Sequence, residues 1–451
     1  MQRGVLFRFS LALLFGSSTA LGGQTFPIGD EFQINTYTDG GQYFPAVASD
    51  PEGNFVAVWQ SDGSYGTDSS NFSIQGQRYA SDGLPIGDEF QINTYTSNRQ
   101  EFASVAMDGA GAFVVVWASS GSYETDLFNP SIQGQRYDSG GSPIGNQFQV
   151  NTFTTGNQVF PAVASDPQSN FVVVWQSRGS SGTDGSGYSI QGQRYASDGS
   201  VIGGEFQVNT YITGHQERSS VAMEADGSFA VVWESNGSSG TDTSDLSIQG
   251  RRYDSNGSPI GGEFQVNTYT TEGQRFPSVA IDTAGDFVVV FQSIGSDGTD
   301  SAGSSIQARR YSSDGMAIGG EFQVNTYTTS FQTAAAVAKD PVGGFVVVWG
   351  SLGSSGDDFS VSSVQAQRYD SEGVAIDGQF QVNTFITLDQ YLPDVATDAR
   401  ETFVVVWDSI GGSADTDNDG SSIQGQRYSA GLIFDDGFES GDTSDWSSMV
   451  Q

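Results

Sequence analysis

Seven aspartates stand at matching places in a recurring polar segment: Asp68, Asp126, Asp184, Asp242, Asp300, Asp358 and, after a one-residue insertion, Asp417. Carboxylates gathered on one face by repetition are the constellation here with the most chemical potential. Oxygen-rich loops suit Ca2+, which takes about 6 to 8 oxygen ligands. The last copy, Asp415-Thr-Asp417-Asn-Asp419-Gly420, has carboxylates at alternate positions and a Gly at the sharp turn, as calcium loops do. It departs from that pattern by carrying Gln426 where a bidentate Glu is expected. Asp415, Asp417 and Asp419 are the candidate metal ligands and Ca2+ the candidate cofactor, against the plainer reading of an acidic turn. In the other copies one Asp stands among Ser, Gly and Thr, a setting that equally suits loop capping.

Other chemistries have less material. With no cysteine there is no disulfide, thiolate site or thiol nucleophile. A lone histidine, His215, excludes a His-rich zinc site and argues against a Ser-His-Asp triad. Paired carboxylates could hydrolyse glycosides, but no acid is marked out from the rest, so no catalytic residue is assigned. The Ser-x-Asp-x-Gly-x-x-Trp box of sialidase-like propellers is absent from every repeat. The loop aromatics Tyr65, Phe72, Tyr123, Phe128 and Tyr188 could stack on sugars or pack locally.

The elements that must hold these loops follow a period of 58 residues. A Phe-Gln-Ile/Val-Asn-Thr motif begins at Phe32, Phe90, Phe148, Phe206, Phe264, Phe322 and Phe380, and an apolar run ends at Trp59, Trp117, Trp175, Trp233, Phe291, Trp349 and Trp407. In the second full unit, four strands are predicted: a over 103–107, b over 113–117, c over 131–137 and d over 147–152, joined by Gly-, Asp- and Ser-rich turns. Strand b is apolar on both faces, so it must be covered on both sides. The small Val-Ala pairs of strand a suit a crowded ring centre. In strand d, Phe148 and Val150 alternate with Gln149 and Asn151, which predicts one packed and one wet face.

The chain opens with a lone d-type strand, 32–36, and its last copy stops at Arg427-Tyr428, the end of a c-type strand. The two ends are complementary. The expected fold is all-β: a seven-bladed β-propeller of four-stranded antiparallel blades, closed by the N-terminal strand, with each blade burying its faces against its neighbours. Strand parity puts the b-to-c and d-to-a loops on one side, the face expected to take a ligand. The tight a-to-b and c-to-d turns on the other side read as structural. Gln42, Gln100, Gln158, Gln216, Gln274, Gln332 and Gln390 predict a structural hydrogen bond in every blade. Arg78, Arg136, Arg194, Arg252, Arg310, Arg368 and Arg427 also recur equally, and are expected to pair with carboxylates of their own or a neighbouring blade.

Residues 1–22 read as a signal peptide, with Arg3 and Arg8 before the apolar run Leu11-Ala-Leu-Leu-Phe15 and small residues after it. Residues 23–430 would then form the propeller and 431–451 a C-terminal tail. Loss of the leader moves the net charge from −36 to −38. Such a field repels phosphate backbones, so nucleic acid is not an expected partner. No segment is long and apolar enough for a transmembrane helix.

The runs Ser-Ile-Gln-Gly-Gln-Arg-Tyr, Phe-Gln-Val-Asn-Thr-Tyr-Thr and Phe-Val-Val-Val-Trp resemble repeats of bacterial secreted or surface β-propeller proteins, some of them very large and adhesin-like. The tail Phe434-Asp-Asp-Gly-Phe-Glu-Ser-Gly-Asp-Thr-Ser-Asp-Trp446 is similar to tails of otherwise unrelated exported bacterial proteins. The resemblance spans about residues 26 to 430 and implies export and a propeller fold, with no ligand or catalytic residues to carry over. The expected function is therefore a secreted or cell-surface, non-enzymatic propeller, binding a glycan or surface protein in an adhesion role, with Ca2+ as a candidate aid. A glycan-active hydrolase using the loop carboxylates and a purely structural surface component are the alternatives.

Overall fold

The computed structural model of the protein describes residues 24–121, 129–179, 182–238, 240–242, 245–296, 298–300, 303–353, 356, 358, 361–411 and 420–429. The expected leader and tail lie outside these residues. The strands form seven four-stranded antiparallel sheets. In the first blade the order from the axis outward is Gln42–Ser49, Phe55–Asp62, Phe72–Tyr79 and Pro85–Gln91. The next five blades repeat it. In the seventh, Gln390–Thr397, Phe403–Ile410 and Ser421–Ser429 are completed by the N-terminal strand Phe26–Gln33, with Phe26 opposite Ser429 and Phe32 opposite Gly425. The ring is a seven-bladed propeller closed as the complementary chain ends predict.

Strand b is buried on both faces because its two faces serve different partners. Val56 and Val58 pack with Val105, Phe113, Val115 and Trp117 of the next blade, while Phe55, Ala57 and Trp59 pack with Val404 and Val406 of the previous one. Each such side chain contributes about 1.5–3 kcal/mol of burial. Trp59 Nε1 donates to Gln42 Oε1 at 3.1 Å, and the same bond recurs at Trp117, Trp175, Trp233, Trp349 and Trp407. The recurring Gln thus satisfies a buried indole, which would otherwise be left unpaired. In strand c, Gly134 leaves room for a ring, since a Cβ there would sit 2.7 Å from Cζ of Phe148.

Two expectations are corrected. The fourth strand of the second blade runs Pro143–Gln149, ending before the expected 152. Val150 and Asn151 lie beyond it, and Asn151 is buried, not wet: its Oδ1 accepts the Ile132 N–H at 2.7 Å. A short amide reproduces there the ladder bond the strand no longer makes. The recurring arginines do not depend on carboxylate partners. Arg78 Nη1 and Nη2 donate to the carbonyls of Gly140 and Ser139, both at 2.6 Å, in the c-to-d turn of the next blade. A fork of donors matches two adjacent turn carbonyls, a geometry repeated wherever the next blade has a c-to-d turn; the seventh blade has none, and Arg368 donates to the Thr25 hydroxyl instead. Arg368, with Glu401 at 4.0 Å, comes nearest to the ion pair expected.

A further joint comes from the residue before each Phe-Gln motif. Glu89 Oε2 accepts the backbone N–H groups of Thr36 and Tyr37 and the Thr36 hydroxyl, at 2.6, 3.0 and 2.8 Å. Because Thr36 follows the strand of the preceding blade, each such side chain staples two blades. Glu31 closes the ring in the same way on Thr384 and Phe385.

Candidate functional site at the axial mouth

The loop aspartates are used internally. Asp68 is 1% exposed; its Oδ2 accepts Asn93 Nδ2 at 2.7 Å and its Oδ1 accepts the Ser70 N–H at 3.1 Å. Asp184, Asp242, Asp300 and Asp358 are likewise buried, bound by Asn209, Asn267, Asn325 and Asn383 at 2.7 to 3.0 Å. Gln91 Oε1 completes the first loop by accepting the N–H groups of Thr67 and Asp68. In these five blades the Gln and Asn of the Phe-Gln-Ile/Val-Asn-Thr motif therefore fasten the b-to-c loop to its own blade. Asp126, Asp415, Asp417 and Asp419 lie outside the described residues, as do Tyr123 and Phe128. Among the described residues there is no group of three potential acidic or histidine metal ligands. Tyr65 is exposed, Phe72 meets Tyr43 edge-on at 6.0 Å, and Tyr188 lies 5.7 Å from His215. His215 Nδ1 is 3.6 Å from Glu217, on the exterior.

Strand a positions a different group. In every blade its register slips two residues after its first Gln, as between Tyr43 and Ala46. The slipped residue has positive φ without being glycine: Phe44 (52°), Phe102 (57°), Phe160 (53°), Arg218 (52°), Phe276 (52°), Ala334 (51°) and Leu392 (53°). Left-handed backbone at an L-residue costs about 1 kcal/mol, and bulges of this kind re-aim side chains. Here they point the seven residues at the axis. The bulge lies beside the d-to-a loop and opposite the end of strand b, so this mouth opens on the face expected to bind.

Together with Pro45, Pro161, Pro277, Pro393 and Asp394, these side chains line a cavity of about 330 Å³. An arc of rings runs round one side. Phe44 and Phe102 have centroids 5.4 Å apart, Phe102 and Phe160 4.1 Å, and the Arg218 guanidinium carbon lies 5.2 Å from the Phe160 ring and 4.5 Å from that of Phe276. Ala334 and Leu392 leave the opposite side smaller and free of rings.

In four of the seven blades the bulge is tied to the preceding blade by the residue that follows the Trp; Ala118 and Gly350 lack the acceptor elsewhere. Gln60 Oε1 accepts the Phe102 N–H at 3.2 Å and Gln176 Oε1 that of Arg218 at 3.0 Å. Two blades replace this Gln by an acid. Glu234 Oε1 accepts the Phe276 N–H at 2.6 Å, and Asp408 Oδ2 that of Phe44 at 3.4 Å. Burial pushes the Glu234 carboxyl up to about 7, against the lowering effects of the Phe276 amide and of Arg218, whose Nε is 3.7 Å away. Asp408 is fully buried, its Oδ1 has no partner among the described residues, and burial raises its carboxyl well above the usual range. A third acid, Asp394, stands where other blades carry Ala or Ser. It borders the cavity and is partly buried, and desolvation pushes it up to about 6 although it accepts the Val47 N–H at 2.9 Å.

Arg218, Glu234, Asp394 and Asp408 therefore break the sevenfold pattern around one mouth. The other mouth keeps it more nearly. There the a-to-b turns carry Asp50, Asp108, Asp166, Glu224, Asp282, Asp340 and Asp398. Several cap their own turns, as Asp50 Oδ1 does by accepting the Asn54 N–H at 2.9 Å. Lys339 is buried against Asp282 at 2.6 Å. The signal for the first mouth is present in the sequence as departures from the repeat at strand positions, Arg218, Glu234, Asp394 and Asp408, and not as variation in the loops. No helix among the described residues is long and apolar enough to cross a membrane.

No protein-family model matches this chain. No curated protein matches it either. Among solved structures, a polysaccharide lyase, Uly1, is similar with a TM-score of 0.51 at 9% identity, over 92% of this chain and 94% of that one. A protein of unknown function from Dyadobacter fermentans gives a TM-score of 0.50 at 11% identity, over 90% and 99%. An α-L-arabinanase from Penicillium chrysogenum gives 0.45 at 14%, over 88% and 98%. At these identities the likeness is one of architecture, and the chain is a seven-bladed propeller of a form also found in a polysaccharide lyase.

Proposed function

We propose that this protein is an exported glycan-binding propeller whose ligand sits on the aromatic mouth of the axial cavity. The observation that carries the reading is the half-exposed arc of Phe44, Phe102, Phe160 and Phe276 around a recess of about 330 Å³. Sugar C–H faces stack on aromatic rings, and convergent polar groups in an apolar recess fix orientation. Seven strained bulges that present these side chains also fit a binding role, since backbone strain tends to persist where function requires it. Export rests on the leader at 1–22 and on the resemblance of the repeats to those of secreted and surface proteins; adhesion to a surface glycan is the setting both suit. Calcium dependence through Asp415, Asp417 and Asp419 belongs to the same proposal as a separate, measurable property.

The test is calorimetric titration of the protein with neutral and acidic oligosaccharides, alongside Phe102→Ala and Phe160→Ala. Saturable binding that both substitutions weaken about tenfold supports the reading; an intact fold that binds no sugar sinks it. A glycan-active enzyme is the second reading, favoured by Asp394, an acid at the cavity with a raised pKa, as acid–base chemistry requires. Release of new reducing ends, abolished by Asp394→Asn, would support it over binding alone.

A further inference from the structure

The repeat replaces one ring of the mouth by a cation. Where four other blades carry Phe44, Phe102, Phe160 and Phe276, the fourth blade carries Arg218. Its guanidinium carbon lies over the two neighbouring rings at 5.2 and 4.5 Å, and its Nε is 3.7 Å from Glu234 Oε1. That oxygen already accepts the Phe276 amide at 2.6 Å. The terminal nitrogens of Arg218 have no hydrogen-bond partner among the described residues, and the side chain is 40% exposed where it borders the cavity. A guanidinium set over two rings, with its Nε turned toward Glu234 and its terminal nitrogens free, can present two parallel donors, the fork that matches a carboxylate.

The cavity is lined by one other charged group. Asp394, in the seventh blade, faces it from the far side of the ring, three blades round from Arg218. A recess with a donor fork at one end, an acceptor at the other and rings along one wall has the polarity of an acidic sugar: a carboxylate at one end, hydroxyl donors at the other and C–H faces between. In a chain of net charge −36 a lone cation at a binding mouth needs such a reason, because the surrounding field otherwise discourages anions. That field is screened within about 8 Å at physiological salt, whereas a partly buried pair is screened much less.

Resting on the glycan-binding reading above, we infer that the ligand is a uronic-acid-containing glycan, its carboxylate on Arg218 and its hydroxyls on Asp394.

The experiment uses the intact mature protein and stereochemically matched pairs of oligosaccharides: galacturonate against galactose, glucuronate against glucose, and mannuronate against mannose. Titrations are run on the wild type, Arg218→Gln and Arg218→Phe. The last restores the residue of the other blades, so it keeps the fold even if the Gln variant does not. The wild type is expected to prefer the uronate of one pair by about tenfold or more, as a charge-assisted hydrogen bond supplies. Arg218→Phe is expected to erase that preference while still binding the neutral partner. Binding of a neutral sugar with no preference for its uronate, or a preference that survives Arg218→Phe, overturns this inference and leaves the glycan reading standing. Binding of neither member of any pair overturns both.

Discussion

Phe276 donates its backbone N–H to Glu234 across a blade boundary, over 2.6 Å, in the place where two other blades use a neutral Gln, Gln60 and Gln176. A buried acid there is stabilised by the amide only in part, and desolvation dominates, raising it to about 7. The folded pKa exceeds the unfolded value, so between about pH 4.5 and 7 the folded state binds the extra proton. Its contribution to stability is complete below that window and is lost as pH rises through 7. The loss is on the order of 3 kcal/mol at most. Denaturant midpoints at pH 5 and pH 8 should therefore differ more in the wild type than in Glu234→Gln. Parallel pH dependence in the two proteins would contradict the assignment. Asp394, raised to about 6, acts with the same sign, so Asp394→Asn should flatten the curve further.

The ring closure makes its own prediction. Glu31 Oε2 accepts the Thr384 N–H at 2.6 Å and the Thr384 hydroxyl at 2.7 Å, joining the N-terminal strand to the sixth blade. Two other blades do the same with an amide: Gln147 Oε1 accepts the Thr94 N–H, and Gln379 Oε1 that of Thr326, both at 2.8 Å. Glu31→Gln should thus be nearly neutral in thermal unfolding. Glu31→Ala should cost about 1–3 kcal/mol, the price of stranding donors at a joint. Deleting residues 24–38 removes the whole outer strand of the seventh blade and should lower Tm far more. An unchanged Tm after that deletion would mean the ring does not depend on strand closure.

How much of this was legible beforehand follows from what repetition preserves. Trp59, Gln42 and Val56 recur in equivalent form in almost every blade, so their period revealed strand, blade and ring together, and the unpaired ends at Phe32 and Tyr428 revealed the closure. Repetition alone does not separate structure from function: Asp68 and its counterparts recur on one face as a ligand set would, yet the five among the described residues each bond the Asn of their own blade. The mouth lay hidden for the opposite reason. Phe44, equivalent to Phe102, falls just before the predicted strand a, and only the slip between Tyr43 and Ala46 turns it toward the axis. No periodicity reports a bulge, and Arg218 and Asp394 gain meaning only once their positions are known to face one cavity.

The loop carboxylates should behave as structure. Asp184→Ala leaves Asn209 Nδ2 short of its partner at 2.7 Å and the Ser186 N–H without its acceptor, and should lower stability by about 1–3 kcal/mol. Because the Asp184 carboxylate is already occupied, calorimetric unfolding should show the same loss in excess Ca2+ and in chelator. If the wild type gains stability in Ca2+, by RT ln(1 + [L]/Kd), the gain should vanish in Asp417→Ala or Asp419→Ala and persist in Asp184→Ala. A gain that disappears with Asp184→Ala alone would return the buried series to the ligand face.

Strain and function can be separated at the mouth. Ala334 sits at φ 51° with no ring to contribute, so Ala334→Gly removes a left-handed penalty and should raise stability, by under about 1 kcal/mol once the looser unfolded chain is counted. Phe102 carries the same backbone strain, at φ 57°, but its ring touches those of Phe44 and Phe160. Phe102→Gly relieves under about 1 kcal/mol of strain but forfeits those ring contacts and packing against the core, worth about 1–3 kcal/mol, so Tm should fall modestly. Sugar binding, by contrast, should fall about tenfold in Phe102→Gly and stay unchanged in Ala334→Gly, since only the first removes a stacking face. If Phe102→Gly instead unfolds the protein while an equally folded Ala334→Gly loses binding, the aromatic arc is a structural collar and the ligand contacts the opposite wall of the cavity.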